Sequence, residues 1–287
     1  MIISQNGNLI RECDATVSIF DIAVGRGIGA FEFLRTYLTR PFQLEEHIHK
    51  LFKAAHLLSL DVPLEANKLY EHVLSLIPQD QESQIKLLLL GKDEIARLLP
   101  TRKANLFVII NKLEALQKKP LSLMTTPASR LLPQIKSTSY AAALVALQEA
   151  RASGYDEILY TNESSILEAS TSNIFFVKGE EIITPSEGIL EGVTRGVILK
   201  EFNVTCRPIK EDEIASFDEA FLTSSVREIV PIYKINNILF PKEGRVTQGI
   251  ISAYLSVCVH SPSPSSLESS AYEDLQTSGK KTAMQVL

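Results

Sequence analysis

The chain has 287 residues, with 29 lysines and arginines against 34 aspartates and glutamates, for a formal net charge of −5. That length allows one large domain or two modest ones with real cores. The mildly acidic balance leaves no electrostatic footprint for nucleic acid or an anionic membrane surface. Cys13, Cys206 and Cys258 are few, odd in number and far apart. Neither a zinc spacing nor a disulfide framework follows from them, and a reducing, cytoplasmic setting is expected. The N-terminus MIISQNGNLIRECD lacks a basic flank followed by an apolar run, so no signal peptide is expected. No apolar stretch reaches the roughly 20 residues that span a bilayer.

The first elements read as strands: residues 1–4 and 8–11 flank Asn6-Gly7, a hairpin turn signal. Residues 15–24 are a further apolar run. Residues 31–38, rich in aromatics, read as a strand that turns at Thr39-Arg40-Pro41 and returns through Phe42-Gln43-Leu44. Over 45–60, Ile48, Leu51, Phe52, Ala55 and Leu58 recur at helical spacing, and 67–77 reads as a second helix. Residues 86–90 and 105–110 read as strands separated by a longer loop. Residues 1–118 thus form a small α+β domain.

Between 117 and 134 stand Pro120, Pro127 and Pro133 with little periodicity, which predicts an interdomain connection, placed at 119–131. Residues 132–259 form a larger second domain. It opens with an Ala-rich helix over 140–152 that stops at Ser153-Gly154. Strands and hairpins follow over 157–184, then a helix from about Gly192. Strands at 221–223 and 228–233 and a last helix at 248–259 complete it. The tail, 260–287, carries SPSPSSLESS and reads as disordered.

Gly25-Arg26-Gly27-Ile28-Gly29-Ala30 matches the loose dinucleotide pattern G-x-G-x-x-G/A. That pattern needs a helix opening at its third small residue, whose N–H groups meet the pyrophosphate. An aromatic-rich strand follows instead, so a tight backbone passage near some other ligand is the better reading. His47 and His49 stand two apart on a helix and point in different directions. Helical metal ligands want a spacing of three or four, so both are taken as structural.

Lys136, in QIKSTSY, sits just before the Ala-rich helix. Once partly desolvated, a lysine amine is a good nucleophile toward an aldehyde. The stretch from Glu168 to Arg195 is the richest in the chain. Glu168 follows the apolar pair Ile166-Leu167, and its carboxylate suits a pyridinium nitrogen, which an ionised partner keeps protonated as an electron sink. A small polar turn, Ser170-Thr171-Ser172-Asn173, comes next. Gly192, Val193 and Thr194 open a helix whose N–H groups, with the Thr194 hydroxyl, suit a phosphate. Thr223-Ser224-Ser225, after a strand, adds hydroxyl and N–H donors.

Lys136, then Glu168 with SNIF, then GILEGVTR, then TSSVREIVP resembles, in order and spacing, the fold-type IV pyridoxal-phosphate enzymes. These are the class-IV aminotransferases: branched-chain and D-amino-acid aminotransferases, and aminodeoxychorismate lyases. GRGIGAFEFLRTYLTRPFQLEEHIHKL is similar to the same family's opening, and the likeness covers roughly residues 5–258. The resemblance implies an α/β (α+β) two-domain fold like that of D-amino-acid aminotransferase, with pyridoxal 5'-phosphate as cofactor. Lys136 matches the lysine that bonds to the cofactor aldehyde and shuttles the substrate proton. Glu168 matches the carboxylate at the ring nitrogen, and Leu190 the apolar residue on the ring face. Gly192, Val193, Thr194, Ser224 and Ser225 fall at phosphate-binding positions. Phe31 lies where the family places an aromatic of the substrate pocket.

Two departures stand out. Lys50 occupies the arginine position of the family's H-x-x-R-L motif. Lysine offers a point charge in place of a bidentate fork, so weaker hold on the cofactor phosphate is expected. Where many members carry an arginine that receives the substrate carboxylate, the chain reads Gly91-Lys92-Asp93. Lys92, or Arg26 at a position often tyrosine, is then the candidate carboxylate contact.

The expected function is ping-pong transfer of an amino group between a small amino acid, branched-chain or D, and a 2-keto acid, by a homodimer. One alternative is an aminodeoxychorismate lyase, although Glu32 after Phe31 and the form GILEGVTR look more like the transaminases. Another is an inactive binding protein that keeps the fold.

Overall fold

The structure, a computed structural model, describes residues 1–95, 99–115 and 119–260. The tail expected to be disordered lies outside these residues except for His260, which is helical. The chain forms two compact units. Among the described residues, the first takes Met1–Glu114 together with Ile135–Ser139; the second takes Ala115–Gln134 and residues 140–260.

In the first unit β1 (Ile2–Gln5) and β2 (Asn8–Ile10) form the expected hairpin. Asn6 and Gly7 both adopt positive φ, 51° and 85°, the two-residue loop that matches strand twist. The apolar run 15–24 does not become a strand. It turns at Ser18, whose N–H donates to Asp21 Oδ2, and enters a short helix, α1 (Ile22–Arg26). Ile19 and Phe20 are exposed, so the run has no sheet face to bury.

β3 (Gly29–Tyr37) returns through β4 (Arg40–Pro41). The turn lies one residue earlier than expected, at Leu38-Thr39, both at positive φ. The N–H of Thr39 is held there by Glu82 Oε1 at 3.3 Å. α2 (Leu44–Leu57) buries Leu44, His47, Ile48, Leu51, Ala54 and Ala55, a stripe at helical spacing. α3 (Ala66–Leu76) packs beside it.

β5 (Ser83–Gly91) alternates strictly, with Ile85, Leu87 and Leu89 fully buried and Gln84, Lys86, Leu88 and Leu90 half-buried. Burial of each such leucine contributes about 1.5–3 kcal/mol. A small hairpin, β6 (Glu94–Ile95) with β7 (Leu99–Pro100), precedes β8 (Ala104–Lys112). The sheet runs β2-β1-β8-β5-β3-β4 with every neighbour antiparallel.

The segment Ile135–Ser139 docks on the start of β3. The N–H of Phe31 donates to the carbonyl of Lys136 at 2.9 Å, and that of Thr138 to the carbonyl of Gly29 at 2.9 Å. Gly29 must be glycine here: a Cβ would stand 2.8 Å from the Leu89 carbonyl and 3.1 Å from Thr138 Oγ1.

The second unit differs first in its opening. The stretch expected as a connection contains a strand, β9 (Leu121–Pro127), parallel to its neighbours on both sides. Pro127 ends the strand instead of interrupting it, a position where proline costs no interior ladder bond. α4 (Ala141–Ala152) follows, then β10 (Glu157–Asn162), β11 (Ser165–Ala169), β12 (Asn173–Lys178) and β13 (Glu181–Thr184). Next come α5 (Val193–Glu201) and β14 (Val204–Cys206). β15 (Glu219–Ser224), β16 (Glu228–Ile235), β17 (Ile238–Leu239) and α6 (Arg245–His260) complete the unit.

Its sheet runs β11-β10-β9-β16-β15-β12-β13-β14, with β17 pairing β16. Leu123, Leu159, Ile174, Phe176, Leu222 and Ile232 pack in one cluster, while Ile158, Tyr160 and Leu167 pack with Ala143 and Ala150 of α4 in another. Burial on both faces explains why EILY and NIFFV are continuous apolar runs without alternation.

Candidate active site

Glu168 lies near the end of β11 and is 3% exposed. A carboxylate so buried is costly unless donors meet it. Three do. Arg130 Nη1 donates to Oε1 at 3.2 Å, while Asn173 Nδ2 and the backbone N–H of Leu190 both donate to Oε2 at 3.1 Å. Arg130 is itself buried, its side chain 9% exposed. The tight turn between β11 and β12 sets this geometry, with the N–H of Ala169 on the carbonyl of Ser172 at 2.8 Å. That turn returns the chain so that Asn173, the first residue of β12, faces the carboxylate.

Asn173 does more than hold the acid. Its Nδ2 also donates to the carbonyl of Leu190 at 2.7 Å. Its Oδ1 occupies the place a Cβ on residue 192 would take, so Gly192 alone permits this approach. Gly192 is the N-cap of α5 and offers no side chain to cap it. The first-turn N–H groups at Val193 and Thr194 therefore present positive partial charge without a side-chain acceptor. Thr194 is 2% exposed. Thr223 stands opposite Asn173 in the β12–β15 register, and its Oγ1 is buried with no hydrogen-bond partner. Ser224 ends β15 and Ser225 opens the turn into β16.

In the first unit, Lys136 and Phe31 come together: the Lys136 ammonium lies 5.5 Å from the Phe31 ring centroid. Phe33 meets Phe31 edge-on at 5.8 Å. Lys86 of β5 lies over both rings, at 5.7 and 5.4 Å. Burial holds the Lys86 amine below the ordinary lysine pKa.

The other candidates of this unit sit on other elements. Lys50, on α2, has a 17% exposed side chain and meets Glu46 Oε1 at 3.5 Å. One turn earlier, His47 Nδ1 and Glu32 Oε2 are 2.8 Å apart, both buried, which pins α2 to β3 and agrees with a structural role for that histidine. Arg26 ends α1, is exposed, and lines a cleft of about 440 Å³ with Ile19, Phe20, Asp21 and Asp93. Lys92 follows β5 and donates its backbone N–H to the carbonyl of Lys103.

Four residues of these sites were not singled out from sequence: Arg130, Asn173 as a ligand of the acid, Thr223 as an orphan hydroxyl, and Lys86. Arg130 carried a signal, because it is the one charged residue between 120 and 135. Lys86 carried a similar one, a lone charge in the apolar strand QIKLLLL.

What these groups can do is limited by their chemistry. A buried carboxylate met by a guanidinium, an amide and a backbone N–H suits a protonated ring nitrogen. An uncapped helix start beside an orphan hydroxyl suits a phosphate. An amine on an aromatic face suits an aldehyde. Each of these is a chemistry that pyridoxal phosphate calls for, and the fold is that of the pyridoxal-phosphate class. The family model for amino-transferase class IV matches residues 29–235. The chain belongs to that family and is an aminotransferase of it.

Among known proteins it is similar to a putative branched-chain-amino-acid aminotransferase of Methanocaldococcus jannaschii, 30% identical over 254 residues, covering 82% of this chain and 88% of that protein. It is also similar to an aminodeoxychorismate lyase of Bacillus subtilis, 30% identical over 271 residues, covering 87% and 92%. Among solved structures, the branched-chain aminotransferase of Thermoproteus uzoniensis superposes with a TM-score of 0.84 at 26% identity, covering 90% of this chain and 95% of that one.

Proposed function

We propose that this aminotransferase moves the amino group of a small apolar amino acid, of the branched-chain type, to a 2-keto acid by a ping-pong reaction. The observation that carries the residue roles is the buried Glu168 carboxylate with its three donors. Packing alone does not require such a group. Support for an apolar substrate comes from Phe31, Phe33 and Leu88 on the sheet face that also carries the Lys136 ammonium, and from the branched-chain aminotransferases among the relatives.

When bound, pyridoxal phosphate supplies an electron sink that makes the substrate α-proton removable. Lys136 would hold the cofactor through its amine, which condenses with an aldehyde by loss of water. The free Lys136 amine would be placed to move a proton between the substrate α-carbon and the cofactor. Glu168 would keep the ring nitrogen protonated, with Arg130 and Asn173 holding the carboxylate in place. The N–H groups of Val193 and Thr194, the Thr194 hydroxyl and Ser224-Ser225 hold the phosphate, with Lys50 adding charge. Leu190 would pack on the ring, and Phe31 would bound the substrate. Arg26 and Lys92 are the proposed carboxylate contacts; unchanged substrate affinity in Arg26→Gln would remove the first of them.

The test is visible absorbance of the protein with added pyridoxal phosphate, then borohydride reduction and peptide mapping. A pyridoxyl adduct on Lys136, and bleaching of the band by leucine, isoleucine or valine, is the expected result. Bleaching by D-alanine alone would replace the substrate assignment. No band and no adduct with cofactor in excess would leave a binding protein that keeps the fold.

A second reading, the lyase, is favoured by the Bacillus subtilis relative. It predicts pyruvate release from aminodeoxychorismate with no keto acid added. We further propose a cytoplasmic homodimer. Exposed Val17, Ile19, Phe20 and Val24 on one short stretch support the dimer, and sedimentation as a monomer at micromolar concentration would refute it.

A further inference from the structure

Arg195, in the first turn of α5, is only 7% exposed. A buried cation is costly unless an anion meets it. The position adds to the cost, because a helix N-terminus already carries positive partial charge. Arg195 Nη2 donates to the Pro185 carbonyl at 3.1 Å and stands 3.5 Å from Cys206 Sγ. Its Nε is buried with no hydrogen-bond partner. Among the described residues that carbonyl and that sulfur are the partners of the guanidinium, and no carboxylate pairs with it.

Cys206 ends β14, the edge strand of the second sheet, beside Thr184 of β13, and is exposed. The residues flanking it engage acids of their own. Thr205 Oγ1 donates to Glu181 Oε1 at 2.7 Å, and Arg207 holds both oxygens of Glu213, at 3.1 and 2.7 Å.

We propose that Cys206 is an oxidation site for hydrogen peroxide, and that its sulfinate form supplies the buried Arg195 guanidinium with its missing anion. The inference does not depend on the aminotransferase reading.

Nε and Nη2 are the two donors along one edge of a guanidinium, and that edge takes two oxygens of one anion in a fork. Two exposed arginines of this chain use it so: Arg11 on Asp14, at 2.7 and 3.1 Å, and Arg102 on Asp61, at 3.4 and 2.6 Å. On Arg195 the Nε is orphaned and the Nη2 already faces the sulfur. A sulfinate carries two oxygens on one atom and one negative charge, as a carboxylate does. Cys13 gives the contrast within the chain. It too is exposed, but its Sγ lies 3.8 Å from Asp14 Oδ1, and that carboxylate opposes a second negative charge.

The sulfur attacks one oxygen of peroxide: an S–O bond forms, the O–O bond breaks, and the departing hydroxide takes the thiol proton and leaves as water. Sulfur gives up two electrons, and peroxide takes them. A second peroxide repeats the step on the sulfenic acid, and the sulfinic proton goes to solvent. The charged sulfur then ties the first turn of α5 to the edge strand β14.

The test treats the full-length protein, saturated with pyridoxal phosphate, with dilute hydrogen peroxide and maps its cysteine peptides by mass. Sulfinate is expected at Cys206 about fivefold or more ahead of Cys13. A second arm uses no oxidant and leaves the buried arginine in place. Cys206→Asp puts a carboxylate where the sulfinate forms, and Cys206→Asn is the neutral match for it. By calorimetry of the cofactor-saturated proteins, Cys206→Asp is expected to melt about 2–4 °C above Cys206→Asn.

Equal sulfinate at Cys206 and Cys13 overturns the proposal. So does a Cys206→Asp variant that melts no higher than Cys206→Asn, which would mean that Arg195 has its anion elsewhere, the cofactor phosphate included.

Discussion

The acid and the amines of this protein show two kinds of contact among those described. Glu168 is locked by directional bonds from a guanidinium, an amide and a backbone N–H, all between 3.1 and 3.2 Å. The amines of Lys136 and Lys86 rest on the faces of aromatic rings at 5.4–5.7 Å. Ring faces attract a cation over a broad area with little directional demand. An acid that tunes a ring should not move, whereas a lysine that must bond, release and carry a proton has to. The contrast suits those two roles.

The comparison is broken most completely at Lys136. Lys136→Met is expected to abolish the pyridoxyl adduct and lower amino transfer by about 10³-fold or more, read by single-turnover absorbance. Next is the locked acid. Glu168→Gln keeps the shape but removes the charge, and a loss on the order of 10²-fold in kcat is expected with cofactor still bound. A value within a factor of two of wild type would mean that the charge is not used.

The lock itself is tested by Glu168→Ala. It leaves Arg130 buried without its carboxylate and is expected to cost about 3–5 kcal/mol in denaturant unfolding. The helix start is tested by Gly192→Ala, whose Cβ collides with Asn173 Oδ1. It is expected to weaken pyridoxal phosphate by about tenfold or more in an equilibrium titration, since one bad contact at a phosphate site exceeds 1.4 kcal/mol. The smallest effect is a gain. Lys50→Arg is expected to tighten the cofactor by a few fold through bidentate contact with phosphate; unchanged affinity would place Lys50 outside the phosphate site.

Much of the fold was legible because its periodicities are local. Helix α2 announced itself through Ile48, Leu51 and Ala55, and the first hairpin through Asn6-Gly7. Strand β9 was not legible. Its three neighbouring prolines argued for a connection, and what makes it a strand is parallel pairing with β10 and β16, partners far away in sequence. Run 15–24 failed in the opposite direction: apolar content suggested burial, and no sheet face was there to receive it.

The site shows the same division. Lys136, Glu168 and the Gly192-Val193-Thr194 turn could be singled out because each is a residue type whose chemistry is unusual in its local setting. The residues that hold them could not. Arg130 reaches Glu168 across 38 positions of sequence, Leu190 across 22, and Lys86 reaches Phe31 only because β5 pairs with β3.

The sequence by itself determined the elements with strong local pattern and the family, and it singled out candidate reactive groups, since periodicity and chemical type are properties of neighbouring residues. Only the tertiary structure decided which donors hold the acid, which glycine clears the way for an asparagine, and that two lysines share one ring. Hydrogen bonds and close electrostatic contacts act over a few ångströms, and pairing between distant strands is what brings those groups within range.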